Sequence, residues 1–177
     1  MICLPKLITS LKSFVFIKDF ISSSFAKVIS NLFLTKSWNC VLCLSTQNLS
    51  DKFCVDRHKT HFLDLVRNKL DITFANEDEI TSLIDTKNFN EVIEFAKQIK
   101  KLIIITRGEK GAISIKGDEI KEISVKKNLD IIDLTGAGDL FAAGYLHGLI
   151  NNLSSDLCLE KGTEMSSKII QQIGARL

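Results

Sequence analysis

Beyond about residue 40 the chain alternates short apolar runs with longer amphipathic ones. Val41 to Ser45 and Asp71 to Ala75 have the length and content of strands, and Leu102 to Ile105 is a continuous apolar run, as expected of a strand covered on both faces. Between them, Phe62, Leu65, Val66 and Lys69 fall at helical spacing in a segment from Arg57 to Lys69 that Asp56 can cap. Glu77 to Ile84 follows the second strand directly, and Asn88 to Lys100 carries the apolar stripe Phe89, Val92, Ile93, Ala96, Ile99. Ala112 to Ile115 and Glu119 to Val125 read as a hairpin around Lys116-Gly117-Asp118. A short strand at Ile131-Ile132 leads into a helix from Leu140 to Ile150, and Asp156 to Ile173 is helical with a weaker stripe. Strands separated by crossovers of helical length predict an α/β fold, a mostly parallel sheet flanked by helices.

The first forty residues break this pattern. Phe14, Phe16, Phe20, Phe25 and Phe33 are scattered among Ser and Lys without a sustained period, although Phe20 to Phe33 can form an amphipathic helix. The chain therefore divides into a poorly patterned head, 1–40, and a regular body, 41–177. The head carries five lysines against Asp19, a net +4, leaving −2 on the rest. Lysines interrupt it too often for a bilayer span, and it lacks the zones of a secretory signal, so a cytoplasmic protein with no membrane partner is expected.

The 177 residues are 45% hydrophobic and 25% charged, the profile of a globular domain with a real core. A net charge of +2 gives no reason to expect nucleic acid as a partner. The five cysteines, Cys3, Cys40, Cys43, Cys54 and Cys158, are odd in number and irregularly spaced, which argues against a disulfide framework. Cys40 and Cys43 have redox spacing, but their apolar neighbours favour plain buried thiols. His58 and His61 lie one turn apart with no evident third ligand, and read as surface residues, while His147 comes too late in its helix to join a site.

Chemistry concentrates in Asp133-Leu134-Thr135-Gly136-Ala137-Gly138-Asp139-Leu140-Phe141, between the last strand and an apolar helix. Gly136 and Gly138 admit backbone angles that point successive amides at one spot, at the positive end of the helix dipole, where a phosphate or oxyanion is stabilised. Asp139 is out of place beside a phosphate unless it accepts the proton of an attacking hydroxyl. Its plainer role is that of an N-terminal helix carboxylate. Two further motifs follow strands. Asn76-Glu77-Asp78-Glu79 sets an amide and a carboxylate one turn apart, suited either to a hydrated Mg²⁺ or to a capping box needing no ligand. Thr106-Arg107-Gly108-Glu109-Lys110-Gly111 offers a hydroxyl and two glycines for backbone approach to phosphate, or a bare turn. Arg107 and Lys110 add positive charge there without an assigned role.

Together these three motifs resemble the ribokinase-like carbohydrate kinase family (PfkB), whose second signature commonly reads D-T-x-G-A-G-D-x-F and here reads D-L-T-G-A-G-D-L-F. The resemblance runs from about Leu49 to the C-terminus. Leu49 to His58, Phe74 to Glu79 and Gln172 to Arg176 look most like its adenosine kinase-like branch, although Thr163 stands where that branch usually has Asn. It implies a ribokinase-like three-layer fold truncated at the N-terminus, containing the C-terminal nucleotide-binding half. It also implies that Asp139 is the catalytic base and Gly136, Ala137 and Gly138 the anion hole. Asn76, Thr106, Gly108 and Gly111 are then nucleotide contacts, with Glu79 joining Asn76 at Mg²⁺. Asp133 and Thr135 match positions near a monovalent cation, usually K⁺.

The activity so implied is ATP-dependent transfer of a γ-phosphoryl group to an alcohol of a sugar or nucleoside. The acceptor-binding half and its lid have no visible source in this chain. Two classes stay open: a phosphotransferase, alone or completed by an N-terminal half or a second copy, and a catalytically silent nucleotide-binding remnant.

Overall fold

A computed structural model describes residues 46–49 and 52–174. The head, the strand predicted at Val41 to Ser45 and the Cys40/Cys43 pair lie outside them. Thr46–Asn48 forms β1. Two short helices, α1 (Lys52–Arg57) and α2 (Lys59–Asp64), continue into a wider π-type turn at Leu65–Lys69. There follow β2 (Ile72–Asn76), α3 (Glu77–Ile84), α4 (Phe89–Ile99), β3 (Leu102–Thr106), a single 3₁₀ turn (Gly108–Lys110), and the hairpin β4 (Ala112–Lys116) and β5 (Glu119–Ile123). Two longer helices, α5 (Ala137–Ile150) and α6 (Ser155–Ile169), complete the described chain.

The strands form one sheet in the order β1-β2-β3-β4-β5. The pairings β1/β2 and β2/β3 are parallel, whereas β3/β4 and β4/β5 are antiparallel. The sheet is thus parallel where helical crossovers return the chain and antiparallel where a tight turn does, and β4 alone runs against the other four strands, in keeping with the expected mostly parallel sheet.

Alternation along the strands splits the core in two. Ala75, Ile103, Ile105, Ile113 and Ile115 face α1 to α4, where they meet Val55, Phe62, Ile80, Leu83, Val92 and Ala96. Ile72, Phe74, Ile104 and Ala112 face Phe141, Ala142, Tyr145 and Leu146 of α5, and Cys158 and Leu159 of α6. The three layers are therefore helix, sheet, helix. Tyr145 sets its ring edge-on to Phe74, and its hydroxyl lies 3.1 Å from that of Ser114. Burial pushes that phenol up to about 12.

Two predictions of local structure change. Asp56 is not a helix cap: α1 starts earlier, at Lys52, and the Asp56 carboxylate instead accepts from the Ser82 hydroxyl on α3. Ile131-Ile132 is not a strand. The amides of Ile132 and Asp133 both donate to the Ile170 carbonyl past the end of α6, so they are not available to a sheet neighbour. Ile131, Ile132 and Leu134 are left 60%, 59% and 66% exposed.

Candidate functional site

Parallel pairing sets the ends of β2 and β3 side by side, with Asn76 opposite Thr106 at the carboxyl edge of the sheet. The start of α5 comes to the same edge. A cleft of about 310 Å³ is lined by Phe74, Ala75, Asn76, Glu79, Thr106, Leu134, Gly136, Ala137, Gly138, Asp139 and Phe141. Residues from all three sequence motifs thus share one wall, where open α/β sheets bind ligands.

Asn76 and Glu79 form a reciprocal capping box. The Glu79 amide donates to Asn76 Oδ1 at 2.8 Å, while the Asn76 amide and Nδ2 donate to the two Glu79 oxygens at 2.8 and 2.9 Å. This is the arrangement that needs no ligand, and it holds a carboxylate that is only 4% exposed. Glu79 is a single carboxylate. Among the described residues no group of three or more His, Cys, Asp or Glu could hold a metal. The donors therefore fit a hydrated Mg²⁺ carried in on phosphate oxygens, and do not fit an all-protein cage.

The α5 turn is built differently. Gly136 is the N-cap, with φ +80°, and no side chain caps the helix. The Ala137 amide donates to the Leu134 carbonyl at 3.2 Å and that of Leu140 to Gly136 at 2.9 Å. The amides of this first turn precede the regular hydrogen-bond ladder, as at any helix start. Asp139 sits half-buried on the cleft wall next to them.

Asp133 lies behind this turn. Its Oδ1 accepts from the Thr135 amide at 2.9 Å and the Thr135 hydroxyl at 2.7 Å, and its Oδ2 accepts from the Gly174 amide at 2.9 Å. The Thr135 hydroxyl, its amide and that of Gly174 hold the Asp133 carboxyl below its ordinary value. Three of its four lone-pair positions are filled by the chain's own donors, and the Thr135 hydroxyl points its proton at Asp133. These two side chains are bonded to each other and, through Asp133, to Gly174. They latch the turn to the segment beyond α6.

The Thr106 loop is only partly in the cleft. Thr106 lines it, and its hydroxyl lies 3.5 Å from the Ala75 carbonyl. Gly108 and Gly111 are not among the lining residues. A Cβ on Gly111, at φ +90°, would meet the Ile123 carbonyl oxygen at 1.9 Å, so its glycine is required by β5 packing whatever binds nearby. Thr163, on α6, is buried and does not line the cleft. His58, His61 and His147 are exposed.

Sequence reading missed Glu77, which neutralises Arg107 and Lys110, and Gly174, which holds Asp133. Two unassigned cations in a loop opposite an acidic helix start were a usable signal for the first. The second contact spans forty-one residues and has no local signature.

The model of the pfkB family carbohydrate kinases matches residues 20–177. A cytidine kinase from Thermococcus kodakarensis is 33% identical over 119 residues, 63% of this chain and 42% of its own length. Among solved structures, a probable sugar kinase from Rhizobium etli superposes with a TM-score of 0.72 at 41% identity, covering 74% of this chain and 40% of that one. The adenosine kinase from Sinorhizobium meliloti gives 0.72 at 36% identity, covering 75% and 41%. The chain thus spans about two fifths of the length of these relatives, and its layers have the ribokinase-like arrangement. On the family match and on these structures, this chain belongs to the pfkB family of carbohydrate kinases.

Proposed function

We propose that the chain carries the phosphate-handling half of an ATP-dependent kinase acting on an alcohol of a sugar or nucleoside. The observation that carries this reading is the single cleft on which Asn76, Glu79 and Thr106 meet Gly136, Gly138 and Asp139. The first-turn amides of α5 stabilise charge on the transferring phosphoryl group, and the macrodipole adds to them. Asp139, on the same wall, takes the proton of the acceptor hydroxyl as its oxygen attacks phosphorus and the bond to the leaving diphosphate breaks. Thr106 and Asn76 present polar groups to the nucleotide phosphates. Asn76 and Glu79 would hold the waters of a phosphate-bound Mg²⁺, which would supply charge neutralisation. The Asp133 latch orders the turn, a role that the resemblance gives to K⁺, and no step here depends on that ion.

A second reading rests on a separate observation. Ile131, Ile132 and Leu134 are about 60% exposed beside the turn, in a chain about two fifths as long as its relatives. An apolar stretch left open next to the site suits a chain that binds nucleotide and is catalytically silent. One experiment separates the two readings. The full chain is given MgATP with adenosine, cytidine or ribose, alongside Asp139→Asn. Turnover that falls by about a hundredfold or more in the variant, with ATP affinity unchanged, supports the kinase. ATP binding without turnover on any acceptor supports the silent form, and no ATP binding ends both.

A further inference from the structure

The Thr106 to Gly111 loop has little apolar anchorage, because Gly108, Glu109 and Lys110 are all exposed. What holds it is charge. Arg107, whose side chain is only 16% exposed, donates from Nε to Glu77 Oε2 at 3.3 Å and from Nη1 to Glu122 Oε1 at 2.7 Å. Its guanidinium carbon lies 4.0 Å from the centre of the Phe89 ring. Lys110 reaches Glu77 from the other side, with Nζ at 3.0 Å from Oε1. Glu77 directly follows Asn76, so one carboxylate receives both cations of one motif from its place inside another. Burial opposes ionisation of Glu77, but the hydrogen bonds from Lys110 and Arg107 outweigh it and hold the carboxyl below its ordinary value.

This geometry reads as a strut. Arg107 ties the loop to the starts of α3 and α4 and to β5, and its own amide closes the loop by donating to the Gly111 carbonyl at 2.8 Å. A planar fork stacked on an aromatic ring fixes direction as well as distance, which an ammonium cannot do. We infer that Arg107 and Glu77 are positioning residues for nucleotide binding, setting the gap between Thr106 and the Asn76–Glu79 box to suit a phosphate chain. The inference rests on the kinase reading above. It assigns the basic residues of the loop to its alignment and not to direct contact with phosphate, because both cations are already paired with Glu77.

The test uses the full chain with MgATP and calorimetric affinity, together with melting temperature and amide exchange. Arg107→Lys and Glu77→Gln should each weaken ATP by roughly tenfold while the melting temperature moves by no more than about 2 °C. Exchange at Gly108 to Gly111 should quicken, with the Lys116 to Asp118 turn unchanged. Glu94→Gln, which breaks the exposed pair with Lys97, should alter none of these. Wild-type affinity in both variants overturns the inference and leaves the kinase reading standing. So does an affinity loss that merely tracks a large fall in melting temperature, the result a structural role would give. If the wild-type chain binds no ATP, the kinase reading itself fails and takes the inference with it.

Discussion

Two helix starts face one cleft, and they are finished in opposite ways. At α3 the chain supplies its own ligands, with Asn76 and Glu79 satisfying each other's backbone amides. At α5 the cap is a glycine, and no side chain is offered to the first-turn amides. Self-capping turns the first into a rigid, negatively charged post. The second has no side-chain cap, with Asp139 beside it on the cleft wall. On the proposed reading, phosphate charge is met at the start of α5, while the start of α3 bounds the cleft.

Removing the α3 box should have the largest effect on stability. Asn76→Ala deletes the acceptor for the Glu79 amide and the amide donor to a buried carboxylate, and should cost about 2–3 kcal/mol in urea denaturation. A cost near zero would show that the box is ornamental and would erase the contrast. Gly136→Ala should cost about 1–2 kcal/mol, because a Cβ at φ +80° meets the following carbonyl. Gly138→Ala sharpens the comparison, since its Cβ would meet nothing within 4 Å. Stability should hold to within about 0.5 kcal/mol, while a methyl group in the anion site should weaken ATP by about tenfold. Equal ATP affinity would move the phosphate elsewhere on the wall.

The smallest expected effect is one of pH. The Asp133 carboxyl is held below its ordinary value of 3.8, so its latch contributes stability above that value and loses it as pH falls through the lower folded value. The gap in melting temperature between wild type and Asp133→Asn should be constant from pH 7 to about 5 and close below about pH 4. A gap that does not narrow at all as pH falls below 3.8 would show that the charge is not what holds Gly174.

How much of this was legible in the sequence depended on the range of the contacts. α3, α4, β3 and the β4/β5 hairpin fall within a residue or two of their predicted bounds, since periodicity and capping are local signals. The three motifs were readable as candidates because each follows an apolar run, and parallel pairing explains why two of them converge. The Asp56 contact with Ser82 and the Asp133 contact with Gly174 were not readable, because both join segments far apart in sequence. Ile131-Ile132 misled for the same reason. Apolar composition marks a segment that suits a strand, but pairing requires a neighbour, and here those amides turn to Ile170. The Asn76–Glu79 pair shows the remaining ambiguity: one spacing serves both cap and metal, and only coordinates reveal that the cap is made.

The contact between α5 and α6 bears on movement. A Cβ on Gly144 would meet the Lys161 carbonyl oxygen at 2.4 Å, and one on Gly148 would meet the Cys158 sulfur at 3.0 Å. At Gly144 main chain lies against main chain, and at Gly148 only the small Cys158 side chain stands between the two rods. Sliding one past the other would bring backbone atoms into collision, so the rod bearing Asp139 travels with its mate as one stiff block. On the proposed kinase reading, a closing stroke would then be made by the part that brings the acceptor, toward an Asp139 held in place.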